Sequence, residues 1–208
     1  MDLNYPWFSP EDKSAPVFTA RKMVNNKFDL QNFPGLPPKA VLFCLGKGLP
    51  LLEERFPCET LMDPLNCFIN TTKALTVQGH PGVCFVHGGR GAPATANTVE
   101  VLHALGVKEF LLVGLCGGFG EDLQVGDVLA PRQILSEEGA SRHYRAESGF
   151  VPVTGPGDPL RREKFFASRG IGLKYLDTVS TDAVYRQTFY VKRTSAYCVE
   201  YIFRSSCI

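Results

Sequence analysis

VCFVHGGRGAPATANTVEVLHALGV, residues 83–107, is typical of a strand, a turn and a helix in succession. Its first five residues form a short apolar run that predicts a buried strand, and the run ends in the glycine cluster at 88–91. A helix is predicted next, because Pro93 suits a first helical turn and apolar residues recur at helical spacing until Gly106. This order indicates one unit of an α/β protein.

Two further apolar runs repeat the pattern of a strand that ends in glycine. Ala40–Leu45 runs into Gly46-Lys47-Gly48, and Phe110–Val113 runs into the glycine-rich segment 114–120. More strands are predicted at 125–131 and 173–179, and a helix at 159–168. Strands alternating with helices predict a largely parallel sheet covered on both faces, in which ligands bind at the carboxyl ends of strands.

Glycine-rich turns have two interpretations at this point. They let backbone N–H groups approach a ligand closely, but a tight turn needs glycine in any case, so a binding site and plain turns remain open. No turn matches G-x-x-x-x-G-K-[ST] or G-x-G-x-x-G, which disfavours a generic nucleotide-binding α/β domain.

Composition narrows the class of protein. The 208 residues carry a formal net charge of +1, so no global charge favours nucleic acid or an anionic membrane as a partner. Apolar runs are far shorter than the ~20 residues of a membrane span, and residues 1–7 do not resemble a signal peptide, so we expect a cytoplasmic protein. We expect a polar, proline-rich arm at 1–38 and one domain at 39–208.

The seven cysteines fit reduced thiols better than a disulfide framework. Their number is odd, and several lie in apolar strand-like runs where cysteine behaves as a small hydrophobe. No CxxC pair and no Cys/His cluster with zinc spacing occurs in the sequence, so no metal site is expected.

Four segments in order resemble the motifs of one family, the purine nucleoside and uridine phosphorylase superfamily. Gly89–Ala94 resembles its G-x-G-x-P-[SA] turn, and Val113–Gly118 followed by 123–128 resembles its V-G-[ST]-x-G-G/A … L-x-V-G-D-[VI] signature. Glu138–Tyr144 is similar to a stretch of the uridine phosphorylase branch, and Ser180–Tyr185 resembles S-x-D-x-F-Y.

The resemblance implies a three-layer, Rossmann-like α/β fold with a mostly parallel, barrel-like central sheet, assembled into a homo-oligomer. It implies cleavage of the N-glycosidic bond of a purine or pyrimidine nucleoside, with inorganic phosphate as co-substrate and no other cofactor. Such an enzyme must stabilise a positive ribose and position its nucleophile.

By motif position, the resemblance also implies which residues contact the ligands. The expected nucleoside-binding residues are Gly89, Arg90, Cys116, Gly117, Gly118, His143, Val184 and Glu200. The expected phosphate-binding residues are Gly46, Lys47 and Arg90. No catalytic residue is assigned.

The sequence departs from the family at the phosphate positions and towards its end. Pro50 and Leu112 stand where the family has arginines, and Leu115 replaces a hydroxyl residue. Apolar residues at the arginine position also occur in hydrolytic relatives, so a nucleosidase that uses water is an alternative. After about residue 190 the chain is expected to be divergent or truncated, and no aspartate follows Glu200 to protonate the base. A catalytically inactive nucleoside-binding or oligomerising homologue is therefore the second alternative.

Overall fold

The computed structural model describes residues 14–27, 33–118, 122–144, 149–153, 159–183 and 198–201. The helices are α1 (Ala20–Lys27), α2 (Gly48–Arg55), α3 (Gly91–Ala104) and α4 (Pro159–Ala167), with a short 3₁₀ helix at Ala140–His143. The strands are β1 (Lys39–Phe43), β2 (Cys58–Cys67), β3 (Asn70–Val77), β4 (Val83–His87), β5 (Glu109–Val113), β6 (Gly117–Gly118), β7 (Val128–Glu137), β8 (Phe150–Pro152), β9 (Leu173–Thr181) and β10 (Cys198–Tyr201).

The first sheet has the strand order β2-β3-β4-β1-β5. Its inner strand β1 runs parallel to both β4 and β5, with Phe43 opposite His87 on one side and Val113 on the other. The three parallel strands therefore end at the same level. The hairpin of β2 and β3 extends the sheet with antiparallel pairings, because a two-residue connection can join only antiparallel neighbours.

The second sheet has the order β6-β10-β9-β7-β8. Strand β9 lies parallel to β7 and to β10, and the short strands β8 and β6 add antiparallel pairings at the two edges. The pairing of β6 with β10 brings Gly117 opposite Val199 and Gly118 opposite Cys198. The end of the described chain is thus joined to the turn that follows β5.

The predicted α/β class is confirmed, but the sheets are mixed rather than mostly parallel. Four of the eight described strand pairings are parallel and four are antiparallel. The described strands form two separate sheets and no closed barrel. The local sequence does not indicate this hairpin, because β2 contains Pro64 and two register shifts, and neither β2 nor β3 alternates regularly between apolar and polar residues.

The main hydrophobic core lies between the first sheet and helices α1 and α3. Helix α3 contributes Val99, Val101 and Leu102 to this core, which also contains residues of β1 and β4, and Gly106 follows the helix with a φ of 109°. Helix α1, within the stretch expected to be an arm, buries Met23 and Val24 in the same core. The buried members are Met23, Val24, Leu36, Ala40, Leu42, Leu65, Cys67, Ala74, Cys84, Val86, Val99, Val101, Leu102, Leu105 and Val107.

Strand β5 is less buried than its apolar sequence predicts. It forms the edge of the first sheet, and its side chains alternate between partly buried and exposed. Phe110 and Leu112 pack against the core, whereas Leu111 is 59% exposed and Val113 is 37% exposed. The prediction of a strand buried on both faces is therefore wrong on one of them.

Candidate functional site

Three glycine-rich turns meet at one edge of the first sheet. They follow β1, β4 and β5, which are adjacent, parallel and in register at their carboxyl ends. The sequence predicted this convergence from the apolar runs that each end in glycine. The edge where the turns meet is the position at which open α/β sheets bind ligands.

The turn at 88–91 leaves no space for larger side chains. A Cβ on Gly88 would lie 2.9 Å from Cys44 Sγ, and one on Gly89 would lie 2.8 Å from the Cβ of Ala94. Gly89 and Gly91 also have positive φ angles of 83° and 81°, which other residues rarely adopt. The glycines therefore allow β4, the turn and the start of α3 to approach β1 closely.

Two of the predicted phosphate-binding residues are brought together by these turns. Arg90 precedes the first residue of α3 in an extended conformation, and its Nη2 lies 3.5 Å from the position that a Cβ would take on Gly46. Lys47, the third predicted residue, is exposed on the same turn as Gly46, immediately before α2. The first and second turns together therefore offer two cations beside backbone that a ligand can approach.

His87, the last residue of β4, is fixed from two sides. Its backbone N–H donates to Thr72 Oγ1 at 3.3 Å, and its ring Nδ1 accepts from the Gly89 N–H at 3.2 Å. Burial lowers the pKa of His87 below the usual 6.5, and the charge of Arg90 lowers it further. The ring is therefore neutral at pH 7, and no motif in the sequence predicted a role for this residue.

A cleft of about 420 Å³ opens beside the first turn. It is shared between that turn, helix α2 and the β2–β3 hairpin, with His87 at one side. The lining residues are Gly46, Leu49, Pro50, Glu53, Asp63, Thr71, Thr72, Lys73 and His87. Gly46 is thus common to the cleft and to the contact with Arg90.

Charges in the cleft are of both signs. Lys73 on β3 forms an ion pair with Glu53 on α2, and Asp63 adds a second carboxylate from β2. Thr71 and Thr72 of β3 also line the cleft. Carboxylates and hydroxyls of this kind can hydrogen-bond a hydroxyl-bearing ligand, whereas an anion is favoured nearer Arg90 and Lys47.

Asn70, at the start of β3, connects the hairpin to the turn after β4. Its Oδ1 lies 3.0 Å from Thr98 Oγ1, while its buried Nδ2 has no partner and lies 3.4 Å from the position of a Cβ on Gly89. The Thr98 hydroxyl also lies 2.9 Å from the carbonyl of Ala94 and has one proton to donate. Exchanging the amide O and N of Asn70 removes the unpaired donor, because Nδ2 then donates to Thr98.

The third turn differs from its predicted form at Cys116. Gly117 and Gly118 form β6, and a Cβ on Gly118 would lie 3.0 Å from Leu123 Cδ1, so the two halves of this motif are in contact. Cys116, however, is disulfide-bonded. The expectation of reduced cysteines is therefore wrong for Cys116, because the folded chain brings another sulfur to it.

Reduced thiols are found elsewhere among the described cysteines. They are Cys44, Cys58, Cys67 and Cys84, for which the expectation of a reduced state is confirmed. Burial raises the pKa of both Cys67 and Cys84 to about 11, which keeps these two thiols protonated. They serve as packing residues and not as nucleophiles.

The segment Glu138–Tyr144 is held by polar contacts. Glu138 is only 5% exposed, and its carboxylate accepts hydrogen bonds from the Ser141 N–H at 3.1 Å and from the Ser141 hydroxyl. The Gly139 N–H donates to Asp182 Oδ2 at 3.0 Å, which joins the third and fourth motifs directly. Glu138 and Asp182 lie within these two motifs, but no role for either side chain was predicted from the sequence.

Helix α3 supports the same segment from the other side. The Tyr144 hydroxyl donates to Glu100 Oε1 at 2.8 Å. Burial raises the pKa of Tyr144 to about 12, and the hydrogen bond to Glu100 and its negative charge act in the same direction. His143 is exposed at the end of the 3₁₀ helix.

The two remaining predicted nucleoside-binding residues lie late in the chain. Glu200 is in β10, opposite Ser180 of β9, so its strand adjoins the fourth motif. Val184 lies outside the described residues.

In the described part of the chain, no group of three or more His, Cys, Asp or Glu residues is arranged to hold a metal ion. No described helix is long and apolar enough to cross a membrane.

The arrangement defines an α/β protein whose glycine-rich turns meet at the carboxyl ends of parallel strands, the position at which such sheets bind ligands. The sequence pattern of the phosphorylase superfamily matches residues 58–201, well over half of the chain, and the chain therefore belongs to that superfamily. One relative, the uridine phosphorylase of Haemophilus influenzae, is 34% identical over 123 residues, which cover 57% of this chain and 45% of that protein. Matches to such relatives cover 22% to 65% of their lengths.

Solved structures of the superfamily share the fold. A uridine phosphorylase from Vibrio fischeri superposes with a TM-score of 0.66 at 18% identity, over 81% of this chain and 71% of that one. An AMP nucleosidase from Bacteroides thetaiotaomicron superposes with a TM-score of 0.65 at 21% identity, over 89% of this chain and 79% of that one. The fold is thus common to proteins named phosphorylases and to proteins named nucleosidases.

Proposed function

We propose that this protein binds a purine or pyrimidine nucleoside together with inorganic phosphate and transfers the pentose from the base to the phosphate. The observation that carries the proposal is the approach of the Arg90 guanidinium to the Gly46 turn, with Nη2 3.5 Å from the position of a Cβ there. An arginine beside exposed backbone N–H groups is a favourable place for a phosphate dianion. Lys47, on the same turn, adds a second cation.

The reaction breaks one bond and forms one bond at the anomeric carbon. The C1′–N bond breaks and its electron pair leaves with the base, which takes up the proton that hydrogen phosphate gives up as it becomes the pentose 1-phosphate. A phosphate oxygen donates an electron pair to C1′, and the product is a pentose 1-phosphate. Arg90 and Lys47 would hold the phosphate, and its negative charge would stabilise the positive pentose that develops in the transition state.

The nucleoside side of the proposed site uses the third turn and the cleft. Cys116, Gly117 and Gly118 would bound the base, with backbone groups as its hydrogen-bonding partners. A disulfide-bonded sulfur has no proton to give and is not a nucleophile, so Cys116 takes no part in the chemistry. Glu53 and Asp63 in the cleft would accept hydrogen bonds from pentose hydroxyls.

Hydrolysis is the second candidate function. Leu112 stands where the family has an arginine, and it packs against the hydrophobic core, so it offers no donor to an anion. Pro50 lines the cleft at the other arginine position and likewise offers no donor. If Arg90 and Lys47 are too few donors to hold phosphate, water attacks C1′ and the products are free pentose and base.

The test is release of free base from a panel of purine and pyrimidine nucleosides, with and without inorganic phosphate, followed by chromatography. Release that requires phosphate and yields a pentose 1-phosphate supports the proposal. Release at the same rate without phosphate identifies a nucleosidase. If a folded sample at high concentration releases no base, the chain is the non-catalytic homologue, and equilibrium binding of nucleosides becomes its measurable activity.

The expectations about assembly and location stay predictions. A homo-oligomer is expected from the resemblance, and light scattering on the purified protein measures it directly. The exposed apolar side chains Val17, Phe18, Phe68 and Ile69 agree with a surface that another chain covers. A cytoplasmic location is expected for an enzyme of nucleoside salvage, and fractionation of cells tests it.

A further inference from the structure

We infer that His87 is a ligand-binding residue of this site, in which the neutral ring donates one hydrogen bond from Nε2–H to a phosphate oxygen while its Nδ1 holds the Gly89 turn. This inference rests on the proposed function, because it names a further residue for the same anion. It assigns a role to a side chain that no family motif quoted above includes. The role follows from the two ring nitrogens having different partners.

The tautomer of His87 is set by the backbone. The Gly89 N–H donates to Nδ1 at 3.2 Å, so Nδ1 carries a lone pair and the proton of the neutral ring is on Nε2. A doubly protonated ring would set two N–H groups against each other at this contact. The hydrogen bond with Gly89 therefore keeps the ring neutral and leaves Nε2–H as the group that a ligand in the cleft can use.

His87 borders the position proposed for the phosphate. His87 and Gly46 line the same cleft, and Arg90 Nη2 lies beside Gly46. Arg90 is also close enough to His87 to lower the pKa of the ring by its charge. A phosphate held by Arg90 at the Gly46 turn would therefore lie within the region that His87 borders.

The other charged groups of the cleft favour this assignment. The carboxylates of Glu53 and Asp63 disfavour a phosphate beside them, and Lys73 is already paired with Glu53. The anion is thus restricted to the side with Arg90, Lys47 and His87. A neutral imidazole is suited to this position because it donates a hydrogen bond without adding a third positive charge beside two others.

Two substitutions separate the two ring nitrogens. In His87→Asn, the amide oxygen replaces Nδ1 and can still accept from Gly89, but the Nε2–H donor is lost. In His87→Gln, the amide nitrogen replaces Nε2, and the acceptor for Gly89 is lost. The matched control is His80→Asn, since His80 is exposed in the turn between β3 and β4, outside the lining of the cleft.

Calorimetric titration of the full chain with inorganic phosphate gives the first readout. His87→Asn is expected to keep its thermal midpoint and to bind phosphate about tenfold more weakly, the effect of one lost hydrogen bond to a charged group. His87→Gln should bind phosphate more tightly than His87→Asn but melt at a lower temperature. His80→Asn should match the wild type in both measurements. Wild-type affinity in a folded His87→Asn protein overturns the inference.

Nitrogen-15 NMR of the histidine rings gives a readout that a merely structural residue would not change. The wild-type protein is expected to show the Nε2–H tautomer at His87, with an Nε2 signal that shifts on addition of phosphate. An Nδ1–H tautomer, or an Nε2 signal unaffected by saturating phosphate, overturns the inference. Neither readout needs turnover. A chain that releases no base can therefore still confirm His87, and a chain that releases base can still exclude it.

Discussion

The first sheet and the second sheet differ in what stabilises them. The first sheet packs with α1 and α3 around a continuous apolar core that reaches from Met23 to Val107. Among the described residues beyond Val107, Ile134 is the one hydrophobic side chain that is fully buried. The buried residues Glu138, Thr178 and Ser180 in this second region are polar.

Polar contacts take the place of a core in the second region. Asp127 accepts hydrogen bonds from the Gln124 N–H at 2.8 Å and from Lys174 Nζ at 2.7 Å, which connects the turn before β7 to β9. The hydrogen bond from Lys174 is the main reason that the pKa of Asp127 is lowered. Asp177 similarly joins β9 to Arg132 and Gln133 of β7. Directional contacts of this kind fix positions but contribute less stability than a buried apolar core.

The comparison shows that two kinds of interaction hold the proposed site in place, a hydrophobic core on one side and hydrogen bonds on the other. The turns proposed to bind the anion follow strands that pack in the hydrophobic core. The segments proposed for the nucleoside, at 138–144 and 180–182, depend on a few hydrogen bonds such as the one between Gly139 and Asp182. Substitutions in the two regions should therefore differ in size and in which ligand they affect.

The largest effect is expected from matched truncations in the two sheets. Leu102→Ala removes a fully buried side chain of α3 and should lower the free energy of unfolding by about 3 kcal/mol. Leu176→Ala, in partly buried β9, should lower it by about 1 kcal/mol, since solvent already reaches the side chain. Urea unfolding followed by circular dichroism measures both. Equal losses would show that the second region has a core of its own.

Arg90→Met tests the anion side of the comparison. The substitution keeps the length of the side chain but removes the guanidinium beside Gly46, so phosphate-dependent kcat/KM should fall about 100-fold, or about 2.7 kcal/mol. Lys108→Met is the control, because it removes one positive charge just before the amino end of β5, at the opposite end of the parallel strands from the glycine turns. An equal loss in both variants would mean that general charge, and not the contact at the turn, attracts phosphate.

The sequence predicted the strands, turns and helix around the proposed anion site better than the segments of the proposed nucleoside site, for a physical reason. Strands β1 and β4 and helix α3 are local patterns, because an apolar run, a glycine turn and a helical repeat each lie within a few residues. Convergence of the turns then follows from the parallel order of the strands. The contact between Gly46 and Arg90 was therefore within reach of sequence reasoning.

Other features depend on partners that are distant in the sequence. The hydrogen bond of Gly139 with Asp182 spans 43 residues, and the disulfide of Cys116 requires a second sulfur that local spacing does not identify. The exposure of Leu111 follows from the place of β5 at the edge of the sheet, which an apolar run cannot reveal. His87 ends a predicted strand, but the partner of its ring Nδ1 is visible only in three dimensions.

Alanine substitutions of two adjacent glutamates test the nucleoside side of the comparison. Glu138→Ala removes a buried carboxylate that accepts from Ser141, so the free energy of unfolding should fall by about 2 kcal/mol, and the KM for nucleoside should rise while phosphate affinity is unchanged. Glu137→Ala, at an exposed position, should change stability by less than about 0.5 kcal/mol. Urea unfolding, steady-state kinetics with nucleoside and calorimetry with phosphate test this. A loss of phosphate affinity in Glu138→Ala would contradict independent support of the two sides.

The smallest expected effect is a difference in the pH dependence of stability between the wild type and His87→Asn. Burial and the charge of Arg90 hold the pKa of His87 in the folded chain below the 6.5 expected when unfolded. Below about pH 6.5 the unfolded chain therefore binds a proton more readily than the folded chain, so stability is fully present above that pH and falls as the pH decreases.

Between about pH 7.5 and about pH 5.5, the wild type should accordingly lose more unfolding free energy than His87→Asn. The difference should be well under about 1 kcal/mol, because His87 is only partly buried and solvent screens its interaction with Arg90. The remaining histidines and the charges of Glu53, Asp63, Lys73 and Arg90 are present in both proteins, so the difference isolates His87. Parallel profiles would mean that the ring gains a proton without disturbing Gly89, and Nδ1 would then not be the acceptor that holds the turn before Arg90.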